Sequence, residues 1–262
     1  MNLFFAARFL RYLLFSGHRN GHGIHSPFAF HIVSRIFRNK IEPGIVFNIE
    51  SIRKKLLNDR RSIPVRDLGA GSKKKKSNLR KVSKITRYSA VSRKHGILLS
   101  NMSKVFGSPM VLEFGTSFGI STMYMAASCS GAKVITMEGC EATSEIASAS
   151  FREGGFTNIF LLNGPFDDLL PEIIEGKKCP GLVFIDGNHR KVPLIKYFKQ
   201  VADIAGPDSV VVIDDINYSG EMAEAWSEIK NHPDVTMSVD IFRMGMVFFK
   251  KGLNHVNYVV RY

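Results

Sequence analysis

Val111-Leu112-Glu113-Phe114-Gly115-Thr116-Ser117-Phe118-Gly119-Ile120-Ser121-Thr122 is the stretch on which the reading of the whole chain turns. Its apolar start, Met110 to Leu112, has the composition of a short buried strand, and Glu113 ends it. Gly115 and Gly119 bracket a tight turn, and Ile120 to Ser130 are small or apolar, as a packed helix requires. Strand, glycine-rich loop and helix together let a nucleotide-like ligand approach backbone N–H groups at a helix N-terminus. The spacing is E-x-G-x-x-x-G, not the G-x-G-x-x-G of dinucleotide folds. No basic residue stands nearby to meet a phosphate. An acid at the strand end suits a cationic ligand instead.

Downstream, a strand–helix rhythm repeats. Lys133–Glu138 is a strand ending in an acid, where a carboxylate can bind both hydroxyls of a ribose. Thr143 to Phe151 is a helix closed by Gly154-Gly155, and Ile159–Leu162 is a strand leaving through Asn163-Gly164-Pro165-Phe166. Leu182–Ile185 and Val210–Ile213 are wholly apolar strands tipped by Asp186 and by Asp214-Asp215. Helices are expected at Leu169–Ile174, Leu194–Ala205 and Met222–Lys230. The rhythm then changes to an antiparallel hairpin, Thr236–Phe242 and Met246–Phe249 around Arg243-Met244-Gly245.

Glu113, Glu138, Asp186, Asp214 and Asp215 thus sit at strand ends, where open parallel sheets bind ligands. Five converging carboxylates repel one another without a counter-charge, which a sulfonium ligand and a divalent cation would supply. Acids also cap helices that follow strands, and for Asp215 that alternative stays open. Asp214 and Asp215 can share one ion only if the chain leaves strand geometry between them, since successive strand side chains point to opposite faces.

These motifs resemble the class I S-adenosylmethionine-dependent methyltransferases. Ile185-Asp186-Gly187-Asn188-His189 and Ile213-Asp214-Asp215 are similar to the metal-binding acids of the cation-dependent O-methyltransferases. The closer likeness is to those acting on macrolide and aminocoumarin sugars; catechol O-methyltransferase-like enzymes carry Asp-Asn where this chain has Asp214-Asp215. The likeness covers roughly residues 90–250. It implies an α/β fold with a Rossmann-like seven-stranded sheet, helices on both faces and a C-terminal antiparallel hairpin. It implies S-adenosylmethionine bound by Glu113, Gly115, Thr116, Ser117 and Gly119 near the methionine end, and by Glu138 and Gly139 at the ribose. Asn163, Gly164 and Phe166 would take the adenine side, with Asp186 also at the cofactor. It implies Mg²⁺ on Asp186, Asp214 and Asp215, and Asp186 and His189 as catalytic residues, His189 as base.

Outside that region the chain is less ordinary. With 262 residues, 45% hydrophobic and 23% charged, it holds one large α/β domain plus an extension. The division expected is a helical, basic extension over residues 1–80 and a cofactor-binding domain over 81–262. Residues 51–104 hold 17 Lys and Arg against two acids, Asp59 and Asp67, whereas 105–262 are net acidic. A basic face can meet nucleic acid or an anionic membrane. Tyr88 is the one aromatic residue there, too few for base stacking, so specific nucleic-acid binding is not expected. Asp67-Leu68-Gly69-Ala70-Gly71-Ser72 imitates a cofactor motif, but it follows a basic stretch and leads into Lys73–Lys76, so it reads as a loop.

Met1 to Phe15 is apolar but short and interrupted by Arg8 and Arg11, as on an amphipathic helix. It packs on the domain, on a second copy in a homodimer, or peripherally on a membrane. The loop from His18 to His31 carries four histidines but no acid or cysteine. Ser26 and Pro27 instead mark the start of a helix. Three scattered cysteines, Cys129, Cys140 and Cys179, fit a reducing cytoplasm. The function expected is Mg²⁺-dependent O-methylation of a small hydroxylated molecule. An RNA methyltransferase using residues 51–104, and a non-catalytic binding module on the same fold, are the alternatives.

Overall fold

The computed structural model describes residues 3–66, 78–176 and 179–262. The Asp67–Ser72 and Lys73–Lys76 stretches lie outside the described residues. In chain order, α1 (Leu3–Phe15), α2 (Pro27–Ser34) and α3 (Pro43–Asn58) precede a small antiparallel pair, β1 (Ser62–Pro64) and β2 (Leu79–Lys81). Then come α4 (Val82–Ser89), α5 (Arg93–Phe106), β3 (Met110–Phe114), α6 (Ile120–Ser128), β4 (Lys133–Glu138) and α7 (Glu141–Gly154). β5 (Ile159–Asn163), α8 (Phe166–Glu175), β6 (Leu182–Ile185), α9 (Lys191–Ala202) and β7 (Val210–Ile213) continue the alternation. The chain closes with α10 (Gly220–Lys230), β8 (Met237–Asp240), β9 (Gly245–Phe248) and β10 (Val256–Val259). The fold is α/β, with a mainly parallel sheet flanked by helices. Among the described residues that sheet has eight strands, one more than expected; the addition is β10. Two compact units divide the chain, Lys40–Lys178 and Met1–Asn39 with Cys179–Tyr262.

In the unit Lys40–Lys178, β3, β4 and β5 run parallel in that order, with Glu113 opposite Thr136 and Glu138 opposite Asn163. Every residue of β3 is buried, which is why its sequence, Glu113 apart, is an apolar run without alternation. β3 continues through Glu113 to Phe114, so Glu113 lies inside the strand and does not end it. α5 starts at the Ser92 cap, whose side chain accepts the His95 N–H. α5 lies close to α6: a Cβ on Gly96 would come within 2.4 Å of the Tyr124 ring. α7 ends where Gly155 turns to φ 72°, a left-handed cap that glycine adopts without strain.

In the other unit, β6 and β7 pair in parallel, β7 pairs antiparallel with β9, and β9 with β8. The expected hairpin is therefore present. β10 adds in parallel beside β8, and Gly17 bridges to Val260 at its edge. The Tyr12 hydroxyl donates to the Val260 carbonyl at 2.7 Å and accepts the Tyr262 N–H at 3.0 Å. Phe5, Phe9 and Tyr12 of α1 pack around Phe242. The opposite side of α1 leaves Leu3, Leu10 and Leu14 exposed. Ser26 caps α2 and Pro27 takes its first turn, as expected. His18 packs edge-on against Tyr258 and bonds the His22 carbonyl. No described helix is long and apolar enough to cross a membrane.

Candidate functional site

The expected residues fall into two groups, one in each unit, and each group is built by the ends of parallel strands. In the first, the loop after β3 turns on Gly115 at φ 94°, Ser117 at φ 49° and Gly119 at φ 80°. The Gly115 and Thr116 amides both donate to the Met137 carbonyl, and the Gly119 amide donates to Thr116. The Ser117 amide donates to Glu138 at 2.8 Å. These four N–H groups are therefore bonded within the protein, and the loop is a shaped turn.

Glu138 organises this group. One oxygen accepts the Ser117 N–H and the other the Cys140 N–H at 3.0 Å, so the carboxylate ties the end of β4 to the glycine loop. It is half-buried. A carboxylate is an acceptor-only group of the kind that pairs with a ligand diol. Gly139 follows it directly. The Asn163 side-chain amide donates to the Glu138 carbonyl and to Ser144 Oγ, and the Gly164 amide donates to the same carbonyl. The Phe166 ring stands edge-on to Phe114 at 5.5 Å. Thus Ser117, Glu138, Asn163 and Gly164 are linked directly.

Glu113 is fully buried. Ser121 Oγ and Thr122 Oγ1 each donate to it at 2.5 Å, and Thr136 Oγ1 at 2.7 Å. The buried Thr116 hydroxyl extends the chain, 2.6 Å from Thr136 Oγ1. Burial pushes the Glu113 carboxyl up to about 7, against the pull of its three hydroxyl donors. The sequence marked Glu113 by its place before the loop. The hydroxyls that receive it were missed, although Ser121-Thr122 follow the loop and Thr136 is a polar residue inside an apolar strand.

The second group lies after β6 and β7, which are neighbours as expected. Asp186 is 3.6 Å from His189 Nε2, and the His189 ring is 6.2 Å from that of Tyr218. Asp214 is fully buried, while Asp215 turns to φ 54°. The chain does leave strand geometry between them. Arg243, in the turn between β8 and β9, meets both. Its Nε and Nη2 donate to the two Asp214 oxygens at 3.1 and 2.9 Å, and Nε lies 3.7 Å from Asp215. Burial opposes the Arg243 charge, but the Asp214 hydrogen bonds and the charges of Asp214, Asp215 and Asp186 outweigh it and raise its pKa. Burial, then the Asp214 charge, raises Asp215, while Arg243 and His189 oppose the rise.

Arg243 is the counter-charge that the sequence did not disclose; there it read only as a hairpin-turn residue. It changes the fit of the expected metal. Among the described residues no group of three or more His, Cys, Asp or Glu is arranged to hold a metal ion. The reason is local. Asp214 gives both oxygens to a guanidinium, and a divalent ion on the same carboxylate would face that fixed positive charge. The three-aspartate magnesium set, Asp186, Asp214 and Asp215, therefore does not fit.

Residues 112–216 match a family model described as a methyltransferase domain. A catechol O-methyltransferase of Niastella koreensis is 26% identical over 138 residues, 52% of this chain and 62% of the relative. A catechol O-methyltransferase of Mycobacterium tuberculosis is 29% identical over 133 residues, 50% and 59% of the two chains. The chain thus spans about three fifths of the length of the curated relatives it matches. Among solved structures, an O-methyltransferase of Streptomyces achromogenes involved in tomaymycin synthesis, in complex with S-adenosylmethionine, superposes with a TM-score of 0.54 at 22% identity. That superposition covers 62% of this chain and 82% of the other. Residues 112–216 thus resemble a methyltransferase domain, and the fold is that of the class I methyltransferases.

Proposed function

We propose that this chain, built around that methyltransferase domain, transfers a methyl group from S-adenosylmethionine to the hydroxyl oxygen of a small molecule. The observation that supports it most is the pair of backbone bonds that fix Glu138, one from Ser117 of the glycine loop and one from Cys140 at the start of α7. They fix a carboxylate at the end of β4, where a ribose diol would bind. The donor set fits the cofactor: a carboxylate for the ribose at Glu138 and the polar exit of β5 at Asn163. When bound, the cofactor supplies an electrophilic methyl carbon on a sulfonium, whose C–S bond breaks with the electron pair left on sulfur.

The protein supplies orientation and a proton acceptor. Positioning two reactants provides much of the rate of such a displacement. His189 accepts the proton of the acceptor hydroxyl, and Asp186 beside it stabilises the resulting imidazolium. Catechol O-methyltransferases among the relatives support a hydroxylated acceptor.

Calorimetry with S-adenosylhomocysteine tests the reading. Glu138→Ala should weaken binding at least about tenfold, or about 1.4 kcal/mol. Glu138→Gln, which keeps one acceptor oxygen, should lose less. Tight NADH binding with no response to S-adenosylhomocysteine would sink the assignment.

A further inference from the structure

A carboxylate with no solvent exposure, as at Asp214, persists only when its charge is paired. We propose that Arg243 takes the electrostatic place of a divalent cation at this acid cluster, so that the cluster is complete without metal and the enzyme is metal-independent. The inference rests on the methyltransferase reading above for its functional meaning, and on four observations for its substance.

First, the contact is side-on and two-pronged: Nε and Nη2 each reach a different oxygen of Asp214. That is the geometry in which arginine pairs most strongly with a carboxylate. Second, the same guanidinium lies 3.7 Å from Asp215, so one fixed cation serves both adjacent acids, as a bridging ion would. Third, Asp186 faces its own protein partner, with His189 Nε2 at 3.6 Å.

Fourth, Arg243 is not a surface arm that happens to reach inward. Its carbonyl accepts the Ile216 N–H, immediately after Asp215, and its amide donates to the Ile241 carbonyl. The Asn217 side chain bonds the neighbouring Phe242 carbonyl at 2.6 Å, and Asp240 caps the Phe242 amide at 2.7 Å. The antiparallel register, with Ile213 opposite Gly245, sets the turn beside the acids. A divalent ion would have to displace Arg243 or share Asp214 with it. The proton of an acceptor hydroxyl then goes to a protein base such as His189, with no metal to lower its pKa.

Thermal melting of the full chain with bound S-adenosylhomocysteine, in Mg²⁺ and in EDTA, tests this, together with a Mn²⁺ titration followed by electron paramagnetic resonance. Wild type should melt at the same temperature in both, and Mn²⁺ should stay free in solution. Arg243→Gln should melt lower and regain part of the loss in Mg²⁺, because the bared acids then recruit the ion. Adding Asp214→Asn should abolish that response. A Mg²⁺-dependent rise in the wild-type melting temperature, stoichiometric Mn²⁺ binding, or an Arg243→Gln protein indifferent to Mg²⁺ would overturn the proposal. If Arg243→Gln does not fold, the wild-type Mn²⁺ titration decides alone. Failure of S-adenosylhomocysteine to bind in calorimetry would remove the methyltransferase reading while leaving the metal result standing.

Discussion

Glu113→Gln should flatten the pH dependence of stability between about pH 4.5 and 7, changing the gap between variant and wild type by about 3 kcal/mol across that range. The sign follows from the direction of the shift. Burial raises the carboxyl from 4.5 in the unfolded chain to about 7 in the fold. The folded state therefore holds a proton that the unfolded state releases. Stability from the neutral acid is full below pH 4.5, falls as pH rises, and is gone once pH passes about 7. Glutamine is neutral throughout, and Ser121, Thr122 and Thr136 can rotate their hydroxyls to suit an amide. Urea unfolding of both proteins from pH 4.5 to 8 measures it. Asp215 and Asp240 are raised too, but they are common to both proteins and cancel in the difference. Parallel stability profiles would show that Glu113 stays ionised.

Gly119→Ala should destabilise the protein by about 2–4 kcal/mol, combining a left-handed backbone penalty with overpacking. Gly119 has φ 80°, and an added Cβ would stand 2.2 Å from Phe151 Cε1. Phe151 is buried, so its ring has little room to retreat. Gly155→Ala is the control. Its φ is 72°, but nothing lies within 4 Å of the added carbon, so it should cost only about 1 kcal/mol. Phe151→Leu in the Gly119→Ala background should recover part of the steric loss and none of the backbone penalty. Equal losses for the two alanine variants would mean that the Phe151 contact carries no energy.

Much of this molecule was legible in its sequence because the relevant physics is local. The unbroken apolar runs of Leu182–Ile185 and Val210–Ile213 mark strands buried on both faces. Gly119 and Gly155 stand where the backbone turns left-handed, Ser26-Pro27 where a helix begins, and Asp214-Asp215 where a strand gives way to a loop. Each signal spans a few residues. β10 was passed over because its four residues, Val256–Val259, alternate only weakly and find their partner in β8.

The charges of the site were decided by the tertiary structure alone. Glu113 looked like a strand-end acid turned to a ligand; β3 runs one residue further, and the hydroxyls around it come from α6 and β4. Arg243 reaches Asp214 across 29 residues of chain, through the β7–β9 register. Helical and strand periodicities couple residues a few positions apart. The partner of a buried charge is set by which strands lie side by side, a choice made by the packing of the whole sheet.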